Sequence, residues 1–240
     1  MKFEMHDIAT AFSLLTRLPV PVSHARAGAR GAAAAWAYPL VGAALGLVAG
    51  GLGWLLISMG VSAGMAAVFV IAAQVMMTGA MHEDGLADTA DGMGGFTIER
   101  RLEIMTDSRI GAYGAIALVL ALLARHAGVS EISAAGLPLA MAGLGAGSRA
   151  LMVAVMAWLP NARAAGLSAR AGKPEAAPAL AIGLLCTVIA FGWSGFWVFL
   201  AMALAVAIVA LFAKSRFGGQ TGDILGASQQ SAEIMGLMAL

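Results

Sequence analysis

Residues 61–95 read VSAGMAAVFVIAAQVMMTGAMHEDGLADTADGMGG. An apolar run over 61–81 passes directly into Glu83, Asp84, Asp88 and Asp91, four carboxylates within nine residues of a chain that is only 11% charged. A carboxylate beside hydrocarbon loses its hydration and is costly there unless something compensates it. Together these two features point to a membrane protein and make a bound cation the first reading of the acids.

Working outward, the chain is 60% hydrophobic with a mean hydropathy of +0.87. A soluble domain averages about 45–50% apolar and about 25% charged residues, so a soluble helical bundle is excluded for want of charged surface. Six apolar stretches, at about 34–58, 61–81, 111–127, 135–159, 176–192 and 194–213, approach the ~20 residues that a span needs. The expected fold is therefore all-α: a polytopic integral membrane bundle of six to seven transmembrane helices, forming one domain over 1–240. Gly42, Gly46 and Gly50 form a small-residue series on one face of the first span, and Gly143 and Gly147 do so in the fourth, the pattern that lets helices approach closely in lipid. Residues 1–33 read as an amphipathic segment on the membrane surface or against the bundle. They do not read as a signal peptide, because Glu4, His6, Asp7 and Arg17 interrupt their apolar character. Two readings stand for 224–240, a short seventh span or an interfacial helix. The single cysteine, Cys186, excludes an intrachain disulfide and a cysteine-based zinc site. A net charge of +1 argues against nucleic acid as a partner.

Six spans place 1–33, 82–110, 160–175 and 214–223 on one side. Twelve of the fourteen Lys and Arg residues fall there, leaving Arg125 in an opposite-side connection and Arg149 inside the fourth span. Eleven of the thirteen acids share that side, all but Glu131 and Glu233. The positive-inside rule makes it cytoplasmic. The expectation is a multi-pass protein of the cytoplasmic (inner) membrane that works at its cytoplasmic face.

Three polar segments carry the chemistry. On a helix, Asp84, Asp88 and Asp91 fall at i, i+4 and i+7 and share a face. Like charges so placed repel unless neutralised, and Mg²⁺ suits them because it takes one or two carboxylates and completes its octahedron with water and substrate phosphates. His82 reads either as an orienting or proton-transferring group or as a helix-end packing residue. The second segment runs from Arg100 to Gly114. Glu103 and Asp107 are four apart and able to face the first acids, and Arg100, Arg101 and Arg109 suit phosphate; the plainer reading is a surface helix with ion pairs. The third segment, Gly218-Gly219-Gln220-Thr221-Gly222-Asp223, reads as an anion-binding helix N-terminus or as a turn that caps the last helix. Arg149, about ten residues from the end of its span, should face the bundle interior and meet a carboxylate or an anion. Acids for Mg²⁺, arginines for phosphate and a membrane location point to phosphoryl-group chemistry on a diphosphate.

The string His82-Glu83-Asp84-Gly85-Leu86-Ala87-Asp88-Thr89-Ala90-Asp91-Gly92 closely resembles the signature of the cobalamin synthases, the adenosylcobinamide-GDP ribazoletransferases. Phe12 to Pro21, Arg101 to Gly114, Ser148-Arg149, Pro160 to Gly166 and Gly218 to Ala227 follow in that family's order, so the resemblance covers nearly the whole chain. It implies a Mg²⁺-dependent membrane enzyme that joins adenosylcobinamide-GDP to α-ribazole or its 5′-phosphate, giving adenosylcobalamin or its 5′-phosphate and GMP. A nucleoside 5′-hydroxyl would attack the corrinoid-side phosphorus. Glu83, Asp84, Asp88 and Asp91 would be metal ligands. Asp107 and Glu103, with His82, would serve catalysis, as a second metal site or general base. Arg109, Arg149 and Arg163 would hold diphosphate oxygens beside Gly218, Gly219, Thr221 and Asp223. Beyond the lipid bilayer and its substrates, the resemblance leaves room for a homo-oligomer or for association with other corrinoid-assembly enzymes. Ala164 and Ala165 stand where that family often carries charge, which weakens the assignment of Arg163.

Two competitors are weaker. Asp88-Thr89-Ala90-Asp91-Gly92 is also similar to the opening of the CDP-alcohol phosphotransferases, but the spacing to Glu103 and Asp107 is too short for membership. A divalent-cation transporter would carry its acids at mid-membrane on several helices, whereas these cluster at one edge among arginines.

Overall fold

The computed structural model describes residues 3–163 and 172–240. Lys2, Ala164, Ala165 and Arg170, and the end of the Pro160 to Gly166 motif, lie outside the described residues. The chain opens with α1 (Met5–Leu15) and α2 (His24–Arg30), then a 3₁₀ stretch, Gly31–Ala37, that runs into α3 (Tyr38–Ser58). Next come α4 (Ala63–Thr78), α5 (Met81–Gly92), α6 (Ile98–Ile104), α7 (Ala112–Glu131) and α8 (Leu137–Trp158). The last three are α9 (Ala176–Phe191), α10 (Ser194–Phe217) and α11 (Gly222–Met238). There is no strand among the described residues, only an isolated bridge between Asn161 and Gln220.

Each of the six expected spans is a helix, but they differ in length. Four are long and apolar enough to cross a membrane: Ala27–Ser58 (counted through the turns ahead of α3), α7, Ala134–Trp158 and α10. α4 and α5 qualify as a fifth only together, and they are bent by 88°. α9 has 16 residues, about 24 Å at 1.5 Å per residue, short of the ~30 Å hydrocarbon core. α11 is neither interfacial nor lipid-facing. Its residues from Ile224 to Gln230 are all buried, as are Ala232, Glu233, Gly236 and Leu237, so it runs inside the bundle.

Glycine sets the closest contacts. A Cβ on Gly42 would strike the Gly145 carbonyl, one on Gly46 the Met141 carbonyl, and one on Gly50 the Leu137 carbonyl. The whole series therefore lies backbone to backbone against an antiparallel α8. Gly143 and Gly147 open the other side of α8, to Ala190 and to Thr187 with Met202. Stripped of bulk on two faces, α8 is the central helix, with 94% of its apolar window buried.

Local signals place the turns. Ser62 accepts the Met65 N–H to start α4, and Pro39 and Pro138 occupy first turns, where no N–H is needed. The sharp α4–α5 corner uses two successive left-handed residues, Gly79 (φ +66) and Ala80 (φ +59). Arg17 lies across it, its backbone N–H donating to the Met77 carbonyl at 2.8 Å. The N-terminal segment rests on the bundle: Asp7 is fully buried and accepts from Arg30 (2.7 Å) and Trp36 (2.8 Å).

Glycine packing predicts opposite outcomes for two positions on α3. Gly46→Ala forces α3 from α8 and should cost about 1–3 kcal/mol as overpacking, lowering the thermal unfolding midpoint in detergent. Gly51→Ala, with nothing within 4 Å of the new carbon, should leave the midpoint unchanged or raise it.

Candidate functional site

Glu83 and Asp84 stand in the first turn of α5, where carboxylates complement the positive end of the helix dipole. The first turn of α5 reaches into the bundle and its last lies at the end where α7 begins. The helix divides the acids. Asp84 is exposed and Asp88 and Asp91 are half-buried, all on the stripe that the i, i+4, i+7 spacing requires. Glu83, about 100° round the helix from Asp84, turns inward.

Asp91 accepts the Gly111 N–H at 2.7 Å and the Gly114 N–H at 2.8 Å, so its carboxylate caps the N-terminus of α7. A side chain at Gly111 or Gly114 would collide with that carboxylate. Asp223 arrives from α11, whose backbone there lies against Gly85. Arg163 bridges the neighbourhood, 3.6 Å from Asp223 and donating to the Leu102 carbonyl at 2.9 Å. The helix of the second segment ends at Ile104, one turn earlier than the Glu103–Asp107 spacing supposes, because Thr106 and Asp107 close a turn back onto Glu103 and Ile104. Asp107 therefore stands in a loop, paired with Arg109 at 2.6 Å, while Glu103 pairs with Arg100 at 2.6 Å.

Asp84, Asp88, Asp91, Glu103, Asp107 and Arg109 line two clefts that share the 106–110 loop, and Asp223 and Arg163 are in the wall of neither. One, of about 340 Å³, has Asp84, Asp88, Asp107, Ser108 and Arg109 in its wall. The other, of about 750 Å³, has Asp91, Arg100, Glu103, Asp107 and Arg109. Burial, and then the charges of Asp84, Asp223 and Asp91, push the Asp88 carboxyl up to about 7. Burial also raises Asp223, against the pull of Arg163 and the Thr221 hydroxyl. Hydrogen bonds from Arg109 hold Asp107 down at about 2.

Among the described residues no three His, Cys, Asp or Glu side chains converge into a ready cage. The fit to a cation rests instead on Asp88, whose neighbours crowd negative charge around it. Mg²⁺ commonly takes only one or two carboxylates and leaves the rest of its shell to water and phosphate.

Three of the residues singled out in the sequence lie away from the clefts. Glu83 accepts from Arg125 at 2.8 Å and from Gln230 at 3.1 Å. His82 is 2% exposed and its Nε2 has no partner. Arg149 is buried and donates to the Gly145 carbonyl of its own helix at 3.3 Å. In the Gly-rich segment Thr221 caps α11, accepting the Ile224 N–H. Gly219 packs on the Pro160 carbonyl and Ala162, so the capping reading of the segment is realised. Arg125 is the residue the sequence reading misplaced. It lies within α7, 1% exposed, at the centre of a polar cluster. Its one local signal was a lone arginine in an apolar helix.

The sequence model of the family described as cobalamin-5-phosphate synthase matches residues 7–240. An adenosylcobinamide-GDP ribazoletransferase of Bradyrhizobium diazoefficiens is 44% identical over 239 residues, covering 97% of this chain and 92% of that protein. One from Azorhizobium caulinodans is 42% identical over 250 residues, covering 98% and 94%. No solved structure matches the chain.

In cation-free protein, Asp88 should take up its proton near pH 7, as followed by carboxyl NMR or infrared titration. Asp84→Asn removes a like charge and should move that titration downward, toward the ordinary carboxylate range. An Asp88 that titrates near 4 in both proteins would contradict the crowding.

Proposed function

Because the chain belongs to the cobalamin-5-phosphate synthase family, we propose that it joins adenosylcobinamide-GDP to α-ribazole or its 5′-phosphate, with release of GMP. The observation that carries the reading is the single acidic face of Asp84, Asp88, Asp91 and Asp223 standing beside Arg109 and Arg163 at one end of an apolar bundle. The enzyme would be Mg²⁺-dependent and would lie in the inner membrane, with this end cytoplasmic, the side that the excess of Lys and Arg on its loops favours.

The family name, cobalamin-5-phosphate synthase, favours a different nucleophile from the 5′-hydroxyl. A product that is a cobalamin 5-phosphate keeps the phosphate on its 5′ oxygen, so that oxygen is not the nucleophile. A ring hydroxyl of the ribose attacks the corrinoid-side phosphorus, its oxygen replacing the bridging oxygen that leaves with GMP. In this reading Asp84, Asp88 and Asp223 hold Mg²⁺ together with Asp91, which already fixes the start of α7. Mg²⁺ bound there would neutralise charge on the diphosphate and on the departing phosphate. Arg109 and Arg163 would bind the non-bridging oxygens through the guanidinium N–H groups that Asp107 and the Leu102 carbonyl leave free. Asp107, held near 2 by Arg109, is a poor match for accepting a proton at neutral pH. Its part is to aim Arg109, and the proton of the attacking hydroxyl passes to Glu103 across the larger cleft. Buried Glu83, His82 and Arg149 support the site from inside.

The test is turnover by detergent-purified protein supplied with adenosylcobinamide-GDP, either form of ribazole and Mg²⁺, with GMP and the corrinoid product followed by chromatography. Product formation should require Mg²⁺ and fall at least ~100-fold in a folded Asp88→Asn protein, the scale of losing an electrostatic group in the transition state. A cation competes with the proton on Asp88, so the Mg²⁺ concentration for half-maximal rate should rise as pH falls below about 7 and level off above it. Well-folded wild type that makes no product with either acceptor would reject the reaction.

A further inference from the structure

Arg125 joins both acid-bearing helices, α5 and α11, to α4 and α7 through one side chain. From α7, its Nη1 donates to Glu83 on α5 (2.8 Å) and to Gln230 on α11 (3.2 Å), and its Nη2 donates to Gln74 on α4 (2.7 Å) and to Glu233 on α11 (3.2 Å). Neighbouring side chains close most of the cluster around it, leaving Arg125 Nε and Glu83 Oε2 buried without a hydrogen-bond partner. Gln229 donates to Glu233 at 2.7 Å and to Ser148 at 3.1 Å, and Gln230 donates to Glu83 at 3.1 Å. Arg125 is 1% exposed, so each bond acts in a medium without competing water.

The acidic face cannot organise itself, because Asp84, Asp88 and Asp223 repel one another. α5 follows α4 across the left-handed corner at Gly79 and Ala80, packs on α11 where Gly85 meets Asp223 and Gly226 meets His82, and at its far end is tied to α7 by Asp91. Its first turn, which carries Asp84, is held by Glu83. α11, which carries Asp223, is held by Glu233 and Gln230. We propose that Arg125 is a positioning residue: by gripping Glu83 and Glu233 at once it sets α5 against α11, and so brings Asp84 and Asp88 opposite Asp223. Glu83 is then an anchor and not a ligand of the cation. This rests on the reading of the acidic face as a divalent-cation site. A lysine keeps the charge of Arg125 but lacks the two-pronged fork that reaches four acceptors.

The test compares full-length wild type, Arg125→Lys and Glu83→Gln in detergent by two readouts. Mn²⁺ binding by electron paramagnetic resonance reports the cation site, and amide hydrogen exchange reports the hold on α5. Both variants should stay folded by circular dichroism and gel filtration yet bind Mn²⁺ about tenfold more weakly, the size of coupling found within one shared network. The double variant should bind no more weakly than either single one. Exchange should quicken over 82–92 and 222–230 and stay as in wild type in α3 and α8. Mn²⁺ binding weakened by Glu83→Gln but untouched by Arg125→Lys would make Glu83 a direct ligand and overturn the proposal. Unchanged binding and exchange in both variants, or failure of Arg125→Lys to fold at all, would also overturn it. If wild type binds no Mn²⁺, the cation reading falls on its own, and the exchange pattern alone decides whether Arg125 holds α5.

Discussion

The contact on which the molecule depends is the backbone-to-backbone approach of α3 and α8. In lipid no hydrophobic drive brings two apolar helices together, so association rests on close van der Waals fit and on polar contacts between helices. Gly42, Gly46 and Gly50 give α3 a flat face, and Gly145 receives it. With α3 so close on one side and α9 close on the other through Gly143 and Gly183, α8 becomes a core around which the remaining helices are arranged. α11 can then lie inside the bundle, Gly236 against Leu144 and Gln229 bonded to Ser148, and carry Asp223 to the same end as α5.

What was legible in the sequence was what local spacing controls. The glycine series, the apolar runs and the shared face of Asp84, Asp88 and Asp91 all depend on helical period alone, and the structure has them. Thr221 as a cap was likewise readable from its place ahead of an apolar run. What was not legible depends on distant partners. Nothing near Arg125 in sequence announces Glu83, 42 positions earlier, or Glu233, 108 later. An arginine near the end of a short apolar run looks like a loop residue until its helix proves to extend to Glu131. Asp107 misled for a smaller reason: i, i+4 logic holds only inside a helix, and this one stops at Ile104.

The charges form two layers of opposite character. In the inner layer Glu83 and Glu233 face buried Arg125 and Arg149, two charges of each sign, with glutamines and Ser148 taking up most of the remaining donors and acceptors. Buried ions persist only when matched in this way, since removing one partner strands the other in a medium that cannot solvate it. In the outer layer Asp84, Asp88 and Asp223 outnumber Arg163, and burial together with that crowding pushes Asp88 toward neutrality. That imbalance is a cost to the folded protein at neutral pH.

Adjacent residues of one acidic string thus belong to different layers. Glu83 and Asp84 are neighbours in sequence but about 100° apart around a helix, which sends one into the bundle and the other into the cleft. The density of acids in the string follows from that division. Asp84, Asp88 and Asp91 supply the charge at the surface, and Glu83 supplies the grip that keeps a short, self-repelling helix in place. The packing of α5 meets both demands, because its first turn reaches Arg125 through Glu83 while its last turn meets the start of α7 through Asp91.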